Sequence, residues 1–223
     1  MASGRLDGRR LGFDRLLFFS DAVFAIAITL LVLDLRVPDD AHAPFDLTPL
    51  IPRFAAFGVS FYVIGRYWMA HHSLFEGVAG YDGRLLGANL AFLAAIVFLP
   101  FPTSVVTHWR PAPGPVAFYA LSLATVGFAM VALTLVARRP KLLAAGETHG
   151  GTAARVVNAA ASPAVFLVTA SAALLDAEHA LALILLLAPA SWVAGRLGER
   201  LRRRLDHAAG SQAGSATTAQ ADG

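Results

Sequence analysis

Long apolar runs alternate along the chain with short breaks of proline, glycine and charge. Six runs stand out, at about residues 16–35, 50–70, 85–106, 115–137, 156–175 and 180–197. Each is close to the roughly 20 residues that a helix needs to cross a hydrocarbon core. The breaks include Pro38-Asp39-Asp40, Arg110-Pro111-Ala112-Pro113-Gly114 and Arg138-Arg139-Pro140-Lys141, which interrupt helices as such residues should. The pattern predicts an all-α integral membrane fold. A six-transmembrane-helix unit fills residues 1–207, and residues 208–223, rich in Ala, Gly, Ser, Thr and Gln, read as a disordered tail. The first run is too long for the apolar region of a signal peptide and lacks a small-residue cleavage site, so it reads as a retained helix.

Composition narrows the function classes. Of 223 residues 57% are hydrophobic and only 15% charged, with a mean hydropathy of +0.60. Soluble domains carry about 25% charged residues. The absence of cysteine removes disulfides, thiolate metal sites and cysteine nucleophiles. The cations set an orientation, because positive loops stay cytoplasmic. Arg5, Arg9, Arg10 and Arg15 precede the first helix, and Arg66 and Arg84 flank the second break. Arg138, Arg139, Lys141 and Arg155 follow the fourth helix, and Arg196, Arg200, Arg202, Arg203 and Arg204 follow the sixth. Only Arg36, Arg53 and Arg110 fall on the other side. Both termini are therefore expected in the cytoplasm. Arginine-rich, lysine-poor usage with abundant alanine suggests a bacterial cell membrane.

The polar residues inside these runs carry the remaining information. Asp21 sits early in the first run, where a carboxylate either caps the helix N-terminus or meets a partner on another helix. Arg15 and Asp21 are six residues apart, about 600° around a helix, and cannot pair within it. A polar clasp at the cytoplasmic end of a bundle follows. His71, His72, Glu76 and Asp82 invite a metal reading. Adjacent histidines diverge by about 100°, whereas metal-binding helices place them four apart, so hydrogen bonding with Asn89, Asp21 or Arg15 is the better expectation. No metal and no cofactor are expected.

The first motif, Arg15-x-x-x-Phe19-Ser20-Asp21, resembles the signature of the transmembrane-protein-175 family of potassium channels. A second stretch also resembles it, with Trp68, His71-His72-Ser73-Leu74-Phe75, Asp82, Leu85-Leu86 and Asn89-Leu90 closing on Phe98-Leu99-Pro100-Phe101-Pro102-Thr103. The resemblance covers about the first 110 residues. It implies a homotetramer with a central pore lined by helix one, conducting potassium ions without a P-loop filter. Arg15, Phe19, Ser20, Asp21, His71, His72 and Asn89 would be its structural motif. Spacing alone places Phe19, Val23, Ile26, Leu30 and Leu33 on one stripe of helix one, with Thr29 on its shoulder. Such a stripe suits lipid, a neighbouring helix or a pore equally. The resemblance implies the last, with Ile26, Leu30 and Leu33 as a hydrophobic constriction and Thr29 contributing to selectivity.

Other readings are weaker. Thr125-Val126-Gly127-Phe128 resembles a potassium filter sequence but lies inside a continuous apolar run. A secondary transporter would show internal repeats or broken helices with a midplane charge. A membrane enzyme would rest on His71, His72 and Asp82, and a non-conducting homologue remains the other alternative. Nucleic acid is not an expected partner; potassium ions, the bilayer and further copies of the chain are.

Overall fold

The computed structural model describes residues 2–36, 48–108, 112–143, 149–177 and 179–180, with Arg200 and Arg204 beyond them. These residues are helical almost throughout. Helix α1 spans Ala2–Leu30 and continues as a 3₁₀ turn, Leu31–Asp34. After a short 3₁₀ turn, Thr48–Leu50, come α2 (Ile51–Glu76) and α3 (Gly83–Phe98). They are followed by α4 (Pro100–His108), α5 (Pro113–Ala137) and α6 (His149–Ala173). Among the described residues three stretches are long and apolar enough to cross a membrane: Leu11–Asp34, Gly83–His108 and Pro113–Ala137. Helix α2 is as long but carries Arg53, Arg66, His71 and His72. The expected sixth span, but for Ala180, and the tail from 208 onward lie outside the described residues.

Several elements start and stop for readable reasons. The Asp82 carboxylate caps α3 by accepting from the Leu85 amide at 2.9 Å. Ala112 is extended, as a residue before proline prefers, and Pro113 opens α5 where its missing N–H costs nothing. The third apolar run is broken at Leu99. Pro100 and Pro102 remove the amides that would bond the carbonyls of Ile96 and Phe98, and Leu99 N–H bonds Ile96 O instead, at 3.1 Å. The span is thus two helices, α3 and α4, rather than one.

Helix α1 begins at Ala2, well before the expected start near Leu16. At 1.5 Å per residue it is about 43 Å long, against a hydrocarbon core of about 30 Å. Its early part packs on the α2–α3 connection. Phe13 lies 6.0 Å from Phe75 and 6.5 Å from Tyr81, and a side chain at Gly12 would run into the Tyr81 hydroxyl. The α2–α3 and α5–α6 connections meet at this same end, where Ala79 N–H donates to Leu142 O at 2.8 Å and Arg139 reaches Asp82 at 2.7 Å. At the opposite end, Ser104 of α4 donates to Asp34 at 2.7 Å, and Arg53 donates to Arg36 O at 2.7 Å.

Helix α5 is the core. Val116, Tyr119, Leu123, Val126, Met130 and Leu133 are buried, and its partners are chiefly α6 and α3. A second polar cluster lies beside the α3–α4 break: Ser60 is 2.7 Å from the Tyr119 hydroxyl and 2.9 Å from that of Thr103. Thr103 also donates to Leu99 O at 2.8 Å. One hydrogen per hydroxyl then fixes the chain of donors, from Tyr119 to Ser60 to Thr103 to Leu99 O.

The filter-like tetrapeptide Thr125-Val126-Gly127-Phe128 is ordinary α5 helix. Its glycine has a packing role, since a Cβ at Gly127 would sit 2.7 Å from Pro163 Cδ of α6. Gly127→Ala should therefore destabilise the bundle by about 1–3 kcal/mol, the usual range for overpacking. The unfolding midpoint of detergent-solubilised protein in an SDS titration measures it. An unchanged midpoint would mean that α5 and α6 do not meet at this glycine.

Candidate functional site

One face of α1 is anchored and the other is not. Leu16, Ser20, Phe24, Ala27 and Leu31 recur at helical spacing and are buried against the bundle. Phe19, Ile26, Leu30 and Leu33 are 52%, 56%, 39% and 61% exposed, while Val23 of the same stripe is half-buried against the core. The 3₁₀ turn keeps that stripe continuous, because i and i+3 eclipse in such a turn and Leu33 stacks over Leu30. The Thr29 hydroxyl donates to Ile26 O at 2.9 Å, which occupies its hydrogen but leaves its oxygen on the exposed side.

The anchored face is held by a buried polar relay. Ser20 donates to Leu16 O at 2.9 Å and accepts from Asn89 Nδ2 at 2.9 Å. Asn89 Oδ1 lies 2.8 Å from His71 Nε2. Because the Ser20 hydrogen is already placed, the Asn89 amide must donate to it, so its oxygen faces His71 and accepts an Nε2–H. The relay thereby fixes the His71 tautomer. Ser20 and Asn89 are fully buried and His71 nearly so. Such groups are tolerated in an apolar interior only when paired.

Aromatic rings box in the imidazole. His71 stacks on Phe92 at 5.8 Å and contacts Phe75 at 4.5 Å and Phe24 at 5.6 Å. The motif reading did not single out Phe24 or Phe92. The signal was available: Phe24 is four residues past Ser20, Phe92 three past Asn89, and Phe75 four past His71. Each shares a helix face with its polar neighbour.

Asp21 is not an N-terminal cap, because α1 starts at Ala2 and Asp21 lies within it. It accepts from Trp68 Nε1 at 2.9 Å across to α2. Trp68 stacks on His72 at 6.0 Å, and His72 is 3.6 Å from Glu76. Arg15 is exposed on α1. His71 points inward, His72 outward, and Asp82 engages Leu85 and Arg139, so the three do not converge as an enzyme site would require. Among the described residues no group of three His, Cys, Asp or Glu is placed to hold a metal ion. Among the described residues nothing lies within 4 Å of a Cβ placed at Gly83 or Gly87.

Asp82 holds its charge firmly. The Leu85 amide, then the Arg139 guanidinium at 2.7 and 2.9 Å, push its carboxyl below the ordinary carboxylate range.

Comparison with known proteins finds relatives for part of the chain. Residues 15–100 match the family described as endosomal/lysosomal potassium channel TMEM175. That segment carries Ser20, Asp21, Trp68, His71 and Asn89. A protein named as a potassium channel from Chryseobacterium sp. (strain P1-3) is 41% identical over 109 residues, 49% of this chain and 56% of the relative. Another so named, from Streptomyces collinus, is 40% identical over 123 residues, 52% of this chain and 59% of the relative. The chain thus spans little more than half the length of these two relatives. The names are those of channels, not enzymes. A crystal structure of a lysosomal potassium-selective channel TMEM175 homolog from Chamaesiphon minutus superposes with a TM-score of 0.72 at 26% identity. It covers 82% of this chain and 98% of that one.

Two measurements test the site's supports. Asn89→Ala strands the His71 N–H and a Ser20 lone pair, at about 1–3 kcal/mol per buried group. Combined with His71→Phe it should cost less than the sum of the two single changes, by about 0.5–3 kcal/mol, in SDS-titrated unfolding. Strict additivity would break the relay. The Asp82–Arg139 pair predicts a pH dependence. A carboxyl depressed in the folded state stabilises above the unfolded pKa of about 4 and loses that contribution as pH falls through its folded value. The stability gap between wild type and Asp82→Asn should therefore be constant near neutrality and shrink below about pH 4. A gap independent of pH would contradict it.

Proposed function

We propose, from the match of residues 15–100 to the TMEM175 family, that this chain forms a potassium-permeable cation channel. Four copies surround a central pore lined by α1, with both termini in the cytoplasm. The observation that carries the reading is the two-faced α1: one apolar face is locked by the Ser20–Asn89–His71 relay, and the opposite apolar stripe is left outside the chain's own core. A helix held so firmly on one side can present the other in fixed register.

From Ile26 to Leu33 the stripe extends about 12 Å, counting 1.5 Å per α-helical and 2.0 Å per 3₁₀ residue. Rings of Ile26, Leu30 and Leu33 would offer an ion no substitute for its water shell, so the barrier is largely dehydration. Thr29, with its oxygen outward, would be the nearest polar group able to favour one cation over another. The arginine-rich end bearing the Asp82–Arg139 pair would be cytoplasmic.

The test is flux in liposomes under potassium and sodium gradients. Ile26→Asn should wet the constriction, raise cation flux and weaken discrimination of potassium from sodium. Thr29→Val should reduce selectivity or current. If the stripe faces lipid instead, the amide of Ile26→Asn enters hydrocarbon and assembly fails. A well-assembled Ile26→Asn protein with unchanged flux removes α1 from the ion path.

A further inference from the structure

The geometry points to Asp34 as the carboxylate that concentrates hydrated monovalent cations at the outer mouth of the pore, an assignment that rests on the channel reading above. Asp34 directly follows Leu33, the last residue of the exposed stripe, and closes the 3₁₀ turn that ends α1. Its side chain is tied to α4: Ser104 Oγ donates to Oδ1 at 2.7 Å, and Thr107 Oγ1 approaches Oδ2 at 3.2 Å. Thr107 has a single hydrogen, and its contact to Ser104 O, at 2.9 Å, is the shorter. Oδ1 is thus firmly hydrogen-bonded and Oδ2 only weakly. A carboxylate has about four acceptor positions, so most of its capacity at this half-buried site stays available.

The nearby arginines are turned elsewhere. Arg36 Nε contacts Leu33 O at 3.4 Å, and Arg53 donates to Arg36 O at 2.7 Å. The Ser104 and Thr107 hydroxyls orient the carboxylate without cancelling its charge. Fourfold repetition would set four such charges around the outer opening, beyond the dehydrating rings. Anionic walls of that kind raise the local concentration of counter-ions. Discrimination between potassium and sodium would stay with the narrower positions, because a hydrated ion at the mouth keeps its water.

The prediction is dependence on salt. In reconstituted full-length protein, Asp34→Asn should lower potassium flux about threefold at about 10 mM salt and hardly at all near 1 M, as the Debye length falls from about 30 Å to about 3 Å. The asparagine oxygen still accepts from Ser104, so the outer turn is retained. Because the chain lacks cysteine, Asp34→Cys adds a direct control of sign. A methanethiosulfonate bearing a sulfonate should restore flux at low salt, and one bearing trimethylammonium should depress it further. Wild-type flux in Asp34→Asn at low salt, or equal effects of the two reagents, overturns the assignment. Ile26→Asn measured in parallel separates the two failures. If it raises flux while Asp34→Asn does nothing, only the mouth assignment falls; if it leaves flux unchanged, the pore reading falls with it.

Discussion

The hydrogen bond from Asn89 Nδ2 to Ser20 Oγ is the contact on which the placement of α1 depends. It joins α1 to α3, and the same amide's oxygen joins α3 to α2 through His71. Only one assignment of hydrogens satisfies all three groups, so the register between these helices is chemically specified and not merely packed. In an apolar interior a mismatched register would leave donors and acceptors bare, and that penalty exceeds what a single good hydrogen bond contributes. The rings of Phe24, Phe75 and Phe92 exclude other partners for the imidazole. Aliphatic contacts elsewhere along α1 tolerate small slips; this relay does not.

Fixing one face of α1 determines what its other face can be. Leu16, Ser20, Phe24, Ala27 and Leu31 are turned inward, so helical geometry turns Phe19, Ile26, Leu30 and Leu33 outward whatever their chemistry. A helix apolar on both sides is ordinary in a membrane. On α1 the buried face carries a single polar group, the Ser20 hydroxyl, fully satisfied among apolar neighbours. The polar atoms of α1 specify its position, and its aliphatic stripe is what it presents beyond the chain.

Legibility in the sequence followed the range of the interactions. Apolar length exposed the three described stretches able to cross a membrane, since each depends on about 20 consecutive residues. Ser20, His71 and Asn89 stood among the motif residues, and a hydrogen bond between His71 and Asn89 was among the contacts expected of the histidine pair. The true start of α1 was not legible. Residues 2–15 are polar and arginine-rich, and what supports them near Gly12 and Phe13 is Tyr81, on a loop distant in sequence. The Ser60–Thr103–Tyr119 cluster was equally hidden, because each hydroxyl alone in an apolar run reads as bonded to its own helix. Asp34 gave no sign of its partners for the same reason: Ser104 and Thr107 lie on the far side of two helices.

These distant contacts share a geometry. Asn89, on α3, holds α1 near Ser20; Ser104, on α4, holds α1 at Asp34. Helices α3 and α4 are the two halves of one span, separated at Leu99 by prolines that remove two backbone bonds. The hydroxyl chain from Tyr119 through Ser60 and Thr103 ends on the Leu99 carbonyl, at the break itself. The angle at which the span bends therefore sets the spacing between the two attachment points of α1. Any change in that angle must stretch one attachment or shift the 3₁₀ turn that carries Leu33 and Asp34. Coupling between remote positions requires a contiguous element with such shared constraints. Here the constraint runs from a proline break in the third apolar run to the last turn of the first.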